Sequence, residues 1–252
     1  MLICRLLLIF TLMLTWTPAM AAEPLRIGTE GAYPPFNSIN ENGKLVGFDV
    51  DIAMALCDAM GRKCVIQAIA WDDLIPALNN GKIDAIIASM AKTPDREKTI
   101  RFTNFYYRSR ASFVGSPEIH QTSDEQDLMG KRVATQANTV QERYLKESSR
   151  KIETITTTDT IGEAFQLLAT GQTDLVLSDS LINYGFLQTD AGKSFDFVGT
   201  PLPASDPSSL AYIAVRRNDK DLATHFNSAL KAIRLSGRYN TINRKYFPFS
   251  IY

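Results

Sequence analysis

Residues 74–89 read LIPALNNGKIDAIIAS, and residues 164–179 repeat their pattern as AFQLLATGQTDLVLSD. Each segment contains the end of an amphipathic helix, a glycine, an aspartate and a short aliphatic run. Glycine ends helices because it tolerates the left-handed backbone, and a brief aliphatic run suits a strand that is buried on both faces. The repetition predicts two similar α/β lobes, although helix–glycine–strand units also occur in other α/β domains.

The two aliphatic runs end at Ser89 and Asp179, one in each predicted lobe. Ligands of open α/β sheets bind beyond the carboxyl ends of the strands. The repeat therefore predicts a ligand that is held between the lobes and contacts both strand ends.

The composition is that of an ordinary globular protein with balanced charge. The 252 residues include 27 Lys or Arg and 27 Asp or Glu. This length is enough for a leader and two small lobes, or for one larger domain. Because a nucleic-acid-binding domain carries a basic patch, the balanced charge argues against a nucleic-acid partner.

Residues 1–21 have the pattern of a secretory signal peptide. Arg5 supplies a positive charge, residues 6–16 are apolar, and the small residues that follow allow cleavage after Ala21. The apolar run is shorter than the ~20 residues that span a bilayer, so a cleaved leader is favoured over a retained anchor. No later stretch is apolar enough to cross a membrane, and we expect a soluble, exported, periplasmic protein.

Two cysteines remain after the leader. Cys57 falls late in a predicted helix, and Cys64 begins the next strand after a turn at Gly61. In an oxidising compartment we expect them to form a disulfide, with two reduced, buried thiols as the alternative. This disulfide would close a short loop of the chain, so it would stabilise the folded protein by roughly 2–3 kcal/mol. Two cysteines and two distant histidines do not make a zinc site, so we expect no metal.

Apolar periodicity and turn residues predict an alternation of strands and helices. Strands are expected at residues 25–29, 64–69, 84–87, 112–114, 132–135, 151–156, 175–178, 195–198 and 210–215. Helices are expected at residues 49–60, 72–79, 139–146, 160–170, 180–188, 219–235 and 238–245, with a further short helix after the Thr93-Pro94 start signal. Asn42-Gly43 predicts a tight turn between two short strands.

Two polar stretches, residues 115–124 and the proline-rich residues 201–207, divide the chain. We expect the end of the chain to return to the first lobe, so that the lobes are joined twice. The expected first lobe comprises residues 24–113 and 209–252, and the expected second lobe residues 117–204. Residues 114–116 and 205–208 are the expected hinge segments.

Motifs of the common enzyme classes are absent from the sequence. It contains no nucleophile elbow, no zinc-protease motif, no glycine-rich phosphate loop and no dinucleotide fingerprint. The two histidines, His120 and His225, are expected on the surface. We therefore expect no catalytic residue, no cofactor and no enzymatic activity.

Arg96 and Asp179 are candidate ligand-binding residues. An arginine in the first turn of a helix opposes the macrodipole, which suggests that it binds an anion; the alternative is a surface pair with Asp95 or Glu97. Asp179 follows a buried strand with no basic neighbour, so a ligand ammonium could be its partner. It could also cap the helix that starts at Ser180, and the two roles are compatible.

Glu30, Tyr33 and Trp71 lie near strand-to-loop transitions of the first lobe. Two aromatic rings and a carboxylate suit a long cationic side chain, because the rings cover its methylenes and the carboxylate meets its charge. Ordinary core packing is the alternative for both aromatic residues.

Four segments together resemble the periplasmic solute-binding proteins of polar amino acid ABC importers, family 3. They are IGTEGAYPPF at residues 27–36, GFDVD at 47–51, DAIIASM at 84–90 with Arg96, and KYFPF at 245–249. The resemblance covers the whole mature chain and is greatest to the lysine/arginine/ornithine- and histidine-binding branch. It implies a two-lobed periplasmic binding protein of type II, in which each lobe is a mixed β-sheet flanked by helices and a two-segment hinge joins the lobes.

The resemblance also implies residue roles. Arg96 would bind the ligand α-carboxylate, and Asp179 would bind the α-ammonium with the carbonyl of Ser89. Tyr33 and Trp71 would enclose the side chain, and Glu30 would meet its distal charge. Further cleft residues would be Ala88, Met90, Ala91, Gln136, Asn138, Thr139, Val140 and Gln141, with backbone N–H groups near Ala91 and Val140 assisting Arg96. Cys57 and Cys64 match the disulfide of the cationic amino acid binders.

Two residues depart from the family pattern. Relatives usually have Ser or Thr where this chain has Ala91, and often have Gly where it has Asn138. Ala91 removes a hydrogen bond of about 1 kcal/mol and leaves room beside the ammonium, as in related opine binders. We expect a cationic amino acid such as arginine, ornithine, lysine or histidine, with an opine or other guanidino compound as the alternative.

The resemblance implies delivery of the ligand to an inner-membrane ABC permease by a monomeric protein. A ligand sensor that docks on a receptor is an alternative, although the chain ends shortly after the family's C-terminal helix, which favours a free binding protein. A second alternative is an enzyme on the same scaffold, as in the cyclohexadienyl dehydratase-like relatives.

Overall fold

The computed structural model describes residues 23–119, 128–147, 152–205 and 209–252. The expected signal peptide lies outside these residues, as do His120 and most of the second expected hinge segment. Within the described ranges, no helix combines the length and apolar character that a membrane span requires.

Thirteen strands and eight helices are numbered here in chain order. The strands are β1 Leu25–Thr29, β2 Ala32–Tyr33, β3 Asn37–Ile39, β4 Leu45–Val46, β5 Cys64–Ala68, β6 Ala85–Ala91, β7 Ile100–Arg108, β8 Ala111–Gly115, β9 Arg132–Gln136, β10 Thr154–Thr158, β11 Leu175–Asp179, β12 Asp196–Val198 and β13 Leu210–Arg216. The helices are α1 Phe48–Ala59, α2 Leu74–Asn79, α3 Pro94–Glu97, α4 Val140–Glu147, α5 Ile161–Ala169, α6 Ser180–Leu187, α7 Lys220–Leu235 and α8 Arg238–Tyr246, and a 3-10 turn, Trp71–Asp73, precedes α2. These counts refer to the described ranges.

Two five-stranded sheets have the same topology. The first has the order β5-β1-β6-β13-β7 and the second the order β10-β9-β11-β8-β12. Each sheet begins with three parallel strands. The fourth strand, β13 in the first sheet and β8 in the second, is antiparallel to them. The edge strand, β7 or β12, pairs antiparallel with the fourth strand. Helices flank both sheets, and the predicted two-lobed α/β architecture is confirmed.

The repeated phrase folds in the same way in both lobes. Gly81 and Gly171 end α2 and α5 with φ angles of 70° and 71°, as the helix-ending role requires. The carboxylate of Asp84 accepts bonds from the backbone N–H and the guanidinium of Arg26, at 2.9–3.1 Å. Arg132 makes the same three bonds to Asp174, at 2.7–3.2 Å. The aspartate of each copy therefore ties its strand to the neighbouring parallel strand.

The first crossing between the lobes differs from the expectation. Residues 114–116 were expected as a hinge segment, but β8 pairs along its length with β11, from Ala111 opposite Asp179 to Gly115 opposite Leu175. The end of the first lobe therefore falls before residue 113, and the chain crosses at Ser109 and Arg110, between β7 and β8. The sequence predicts the strand, but a short, fully buried run does not reveal which sheet it joins.

The return crossing runs beside the first. The Ser109 N–H donates a 3.0 Å bond to the Ser209 carbonyl, and the Leu202 N–H donates a 2.7 Å bond to the Ala111 carbonyl. The two connections between the lobes therefore lie side by side, one residue beyond the end of β7.

Most elements match the prediction, with their ends shifted by a few residues. The strand β7 is not predicted, and β6 continues to Ala91, four residues beyond its expected end. The turn at Asn42-Gly43 joins β3 and β4 as an antiparallel pair. Cys57 and Cys64 form the predicted disulfide, with their Cα atoms 6.1 Å apart.

An aromatic cluster fills the first lobe between the sheet and α1. Phe36 stacks on Tyr107 with ring centroids 4.6 Å apart, and it meets Phe48 edge to face at 5.8 Å. Such pairs bury a large apolar area and prefer offset or edge-to-face geometry. This cluster supports β7, whose residue Tyr107 also reaches the cleft.

Candidate functional site

A cavity lies between the lobes, at the carboxyl ends of the parallel strands. Its empty volume is about 450 Å³, part of which is open to solvent. It is lined by Glu30, Tyr33, Trp71, Ala88, Ser89, Ala91, Arg96, Tyr107, Gln136, Thr139, Val140, Gln141 and Asp179. The structure thus brings together the residues expected in the cleft, apart from Met90 and Asn138, and adds Tyr107.

Arg96 enters the cavity from α3. The hydroxyl of Thr93 accepts a 3.2 Å bond from the Arg96 N–H and Pro94 occupies the first turn, so the predicted helix start is confirmed. One guanidinium nitrogen donates to the Ala91 carbonyl at 2.7 Å, and the guanidinium carbon lies 5.2 Å from the centroid of the Trp71 ring. These contacts hold the guanidinium against the cavity wall.

The nearby acids are paired with other residues. Asp95 binds Lys98 at 2.7 Å, and Glu97 binds Lys92 at 3.5 Å, so the alternative of a surface pair for Arg96 is not what the structure shows. Burial lowers the pKa of Arg96 to about 10, and repulsion from Arg143 acts in the same direction. Arg96 is therefore charged at neutral pH, and it has no carboxylate partner among the described residues.

Asp179 ends β11 and is 5% exposed. Its Oδ1 atom accepts a 2.6 Å bond from the Ser109 hydroxyl and a 2.7 Å bond from the Leu181 N–H. The carboxylate therefore caps α6 and lines the cavity at the same time. Burial raises the pKa of Asp179 to about 6, although these hydrogen bonds oppose the shift.

Glu30 follows β1 and is 8% exposed. Its Oε1 atom accepts a 2.6 Å bond from the side-chain amide of Gln136, a residue of the second lobe. Burial raises the pKa of Glu30 to about 7; the bond from Gln136 opposes the shift, and the charges of Asp72 and Asp49 add to it. The cavity thus contains a second buried carboxylate, on the opposite lobe from Asp179.

The second lobe contributes the junction of β9 and α4. The Thr139 hydroxyl donates to the Gln136 carbonyl at 2.7 Å and accepts from the Glu142 N–H at 3.2 Å, so it caps the start of α4. Val140 and Gln141 form the first turn of this helix and line the cavity. The N–H groups of this first turn lack helical partners, as at the start of any helix.

Met90 and Asn138 were expected to line the cleft and do not. Met90 is 1% exposed and packs in the apolar cluster beneath β6, because successive side chains of a strand alternate between faces. Asn138 lies at the rim with a φ of 57°. Its carbonyl accepts bonds from Arg96 at 3.1 Å and from the Trp71 ring nitrogen at 3.3 Å.

The charges of the cavity are not balanced within the protein. One side carries a guanidinium without a carboxylate partner, and two buried carboxylates lack an ion pair with any described basic residue. Unpaired buried charges are costly, so this arrangement suits a ligand that brings one negative and two positive groups. No cluster of His, Cys, Asp and Glu in the described part of the chain could hold a metal ion.

Residues 25–249 match the model of the bacterial extracellular solute-binding proteins, family 3. The chain belongs to this family. The predicted resemblance is therefore confirmed over residues 25–249.

Named relatives of this family member are amino acid-binding proteins. It is 41% identical to the L-arginine-binding protein of Pseudomonas aeruginosa, over 93% of this chain and 92% of the relative. It is 34% identical to the lysine/arginine/ornithine-binding periplasmic protein of Escherichia coli, over 93% and 91%. Its structure is similar to that of an ancestral arginine-binding protein bound to arginine, with a TM-score of 0.81, 32% identity and coverage of 89% and 98%.

Tyr107 is the cavity residue of this family 3 protein that sequence reasoning missed. It lies in β7, a strand that the apolar pattern does not predict, and it is 2% exposed. Burial raises the pKa of Tyr107 well above its ordinary value, with the charge of Asp179 adding to the shift, so the phenol is neutral. The consecutive aromatic residues Phe105, Tyr106 and Tyr107 were the available signal of a half-buried strand.

Proposed function

We propose that this protein is the extracytoplasmic binding component of an amino acid ABC importer and that it binds a cationic L-amino acid between its lobes. The observation that carries the proposal is the cavity's charge pattern: Arg96 without a carboxylate partner, facing a space shared with Asp179 and Glu30. A cationic amino acid carries the complementary set of one carboxylate and two cations. The names of the P. aeruginosa and E. coli relatives support the same ligand class.

Arg96 binds the ligand α-carboxylate in this proposal, since its planar fork matches two carboxylate oxygens. The N–H groups near Ala91 and at the start of α4 assist it. Asp179 binds the α-ammonium together with the Ser89 carbonyl. At the other end Glu30 binds the distal cation, and Tyr33 and Trp71 enclose the aliphatic part of the ligand side chain.

Closure of the lobes over the ligand follows from the placement of these groups. Arg96 and Glu30 belong to the first lobe, whereas Asp179 and the start of α4 belong to the second. A ligand that contacts both lobes stabilises the closed arrangement over an open one, so binding and closure are one equilibrium. A closed, monomeric complex would then present the ligand to an inner-membrane permease after export through the cleaved leader.

An opine or another N-substituted guanidino compound is the second candidate. Ala91 lines the cavity without the hydroxyl that relatives place beside the ligand ammonium, and this leaves room for a substituent. Asp179 opposes this candidate, because its carboxylate suits a free ammonium.

Binding without turnover is part of the proposal, because the named relatives are binding proteins. The test uses mature protein that is unfolded to release bound ligand and then refolded. Calorimetry would compare L-arginine, L-ornithine, L-lysine, L-histidine and octopine, and mass spectrometry would examine the released ligand. We expect tight binding of a cationic amino acid that is recovered unchanged; binding of octopine alone, or a chemically altered ligand, would contradict the proposal.

A further inference from the structure

Ser89 has an unusual backbone conformation in the cavity wall. Its φ is 55°, in the left-handed region that costs free energy for a residue with a side chain. It also lies where the pairing of β6 with β13 shifts register, between the pairs Met90–Tyr212 and Ile86–Ala214. A conformation of this kind persists only where surrounding contacts hold it.

A closed set of hydrogen bonds holds Ser89. Its N–H donates to the Tyr106 hydroxyl oxygen at 2.9 Å, and its hydroxyl donates to Asp49 Oδ2 at 3.0 Å. The Tyr106 hydroxyl in turn donates to Asp49 Oδ1 at 2.7 Å. The one carboxylate of Asp49 therefore fixes both the backbone and the side chain of Ser89.

Asp49 is itself held from the other side. It is fully buried in the first turn of α1, and its Oδ2 atom accepts a 2.8 Å bond from the Asn37 side-chain amide. Asn37 accepts a 2.7 Å bond from the N–H of Gly31, the residue after Glu30. Asp49 does not line the cavity, so it can influence a ligand only through these neighbours.

We infer that Asp49, acting with Tyr106, is a positioning residue that sets the Ser89 backbone so that its carbonyl accepts the ligand α-ammonium opposite Asp179. The inference rests on the proposed function, because it requires a ligand with that ammonium. A purely structural role for Asp49, as a first-turn acid of α1, would affect all ligands alike.

The test pairs variants with two ligands that differ in one group. L-arginine carries the α-ammonium, whereas 5-guanidinopentanoate is the same molecule without it. In Asp49→Asn an N–H₂ group replaces one carboxylate oxygen, so either Tyr106 or both Asn37 and Ser89 lose their acceptor, and the contacts that hold Ser89 are weakened. Tyr106→Phe removes the link between Asp49 and the Ser89 N–H, and serves if Asp49→Asn does not fold. Asp51→Asn is the matched control, because it removes another first-turn acid of the same helix.

We expect Asp49→Asn and Tyr106→Phe to weaken L-arginine binding by about tenfold more than 5-guanidinopentanoate binding, the effect of one lost hydrogen bond to a charged group. Asp51→Asn should change both affinities equally and by less than about threefold.

Ser89→Gly provides the second arm, because glycine adopts a positive φ without help. In that background, Asp49→Asn should no longer discriminate between the two ligands. Equal losses for both ligands, or a selective loss that persists in Ser89→Gly, would overturn the inference while leaving the proposed function intact. Failure of the wild-type protein to bind L-arginine would instead contradict the proposed function, and the inference with it.

Discussion

The side-chain amide of Gln136 donates a 2.6 Å hydrogen bond to the carboxylate of Glu30, and this bond joins the two lobes across the cavity. Both side chains are buried, and Gln136 also donates to the Asp159 carbonyl at 3.1 Å. The amide is therefore fixed from the second lobe, and it leaves the other Glu30 oxygen available. A distal ligand cation that binds this oxygen would complete the solvation of the carboxylate.

Glu30→Gln tests the distal end of the proposed site. The substitution keeps the size of the side chain and removes its charge, so a ligand cation loses a charge-assisted bond of about 1.5–3 kcal/mol. We expect affinity for L-arginine and L-ornithine to fall by roughly tenfold to a hundredfold, and affinity for L-glutamine to change little. Calorimetry with the three ligands measures the difference. Equal losses of affinity for all three would show that Glu30 does not bind the distal cation of the ligand.

The pH dependence of binding follows from the same carboxylate. The pKa of Glu30 is raised to about 7 in the unliganded protein, and that of Asp179 to about 6. A ligand cation favours the ionised form, so binding releases protons below these values and affinity falls as the pH falls. Between pH 8 and pH 5.5 we expect the dissociation constant for L-arginine to rise by roughly tenfold or more.

Titrations in buffers of different ionisation enthalpy would detect the released protons directly. Glu30→Gln is the control, since it should flatten the profile between pH 8 and pH 6.5 and retain the decline at lower pH that Asp179 causes. A dissociation constant that stays the same from pH 8 to pH 5.5 would contradict this assignment of the two carboxylates.

Arg96→Ala tests the opposite end of the ligand. The variant removes the one unpaired cation among the described residues that line the cavity, so an α-carboxylate would be buried without a charge partner. We expect L-arginine binding to become undetectable by calorimetry. Agmatine, which lacks the carboxylate, should bind the variant at least as tightly as the wild-type protein, because in the wild type Arg96 would stay without a charge partner. Lys98→Ala, an exposed change two residues away, is the control, and unchanged L-arginine affinity in Arg96→Ala would exclude the proposed pose.

The fold could be predicted from the sequence largely because it occurs twice. Local signals of different kinds agree within each copy: a helix-ending glycine, an aspartate and an aliphatic strand. The Arg26–Asp84 and Arg132–Asp174 contacts show why the aspartate has a fixed place, because it accepts from the backbone and side chain of the neighbouring strand. These contacts join distant residues, so the sequence predicts the elements without revealing the bonds.

Non-local pairing explains what the sequence did not predict. Strand β7 has Thr103 and Asn104 in its middle, and its register against β13 shifts twice, so neither an apolar run nor strict alternation marks it. Missing β7 also meant missing Tyr107. The error at residues 114–116 has the same origin, because the sheet that a strand joins depends on partners far away in the chain.

Asn138 connects the rim of the cavity to the first lobe, and it provides the last test. Its side-chain amide donates to Asp72 at 2.9 Å across the cleft, while its carbonyl accepts from Arg96 and Trp71. Asn138→Gly keeps the left-handed backbone, since glycine adopts a φ of 57° readily, and removes only the bond to Asp72. Because that bond forms between the lobes, its loss should destabilise the closed complex by about 0.5–1.5 kcal/mol and speed ligand release several-fold.

Stopped-flow fluorescence of Trp71, whose ring nitrogen lies 3.3 Å from the Asn138 carbonyl, can follow the release of L-arginine. Asp72→Ala removes the same bond and also a negative charge near Glu30, so it should speed release at least as much as Asn138→Gly. The double variant should be no faster than Asp72→Ala alone, because the bond is already lost in that variant. Additive effects of the two substitutions would show that Asn138 and Asp72 act separately, and that the contact across the rim does not control how long the lobes stay closed.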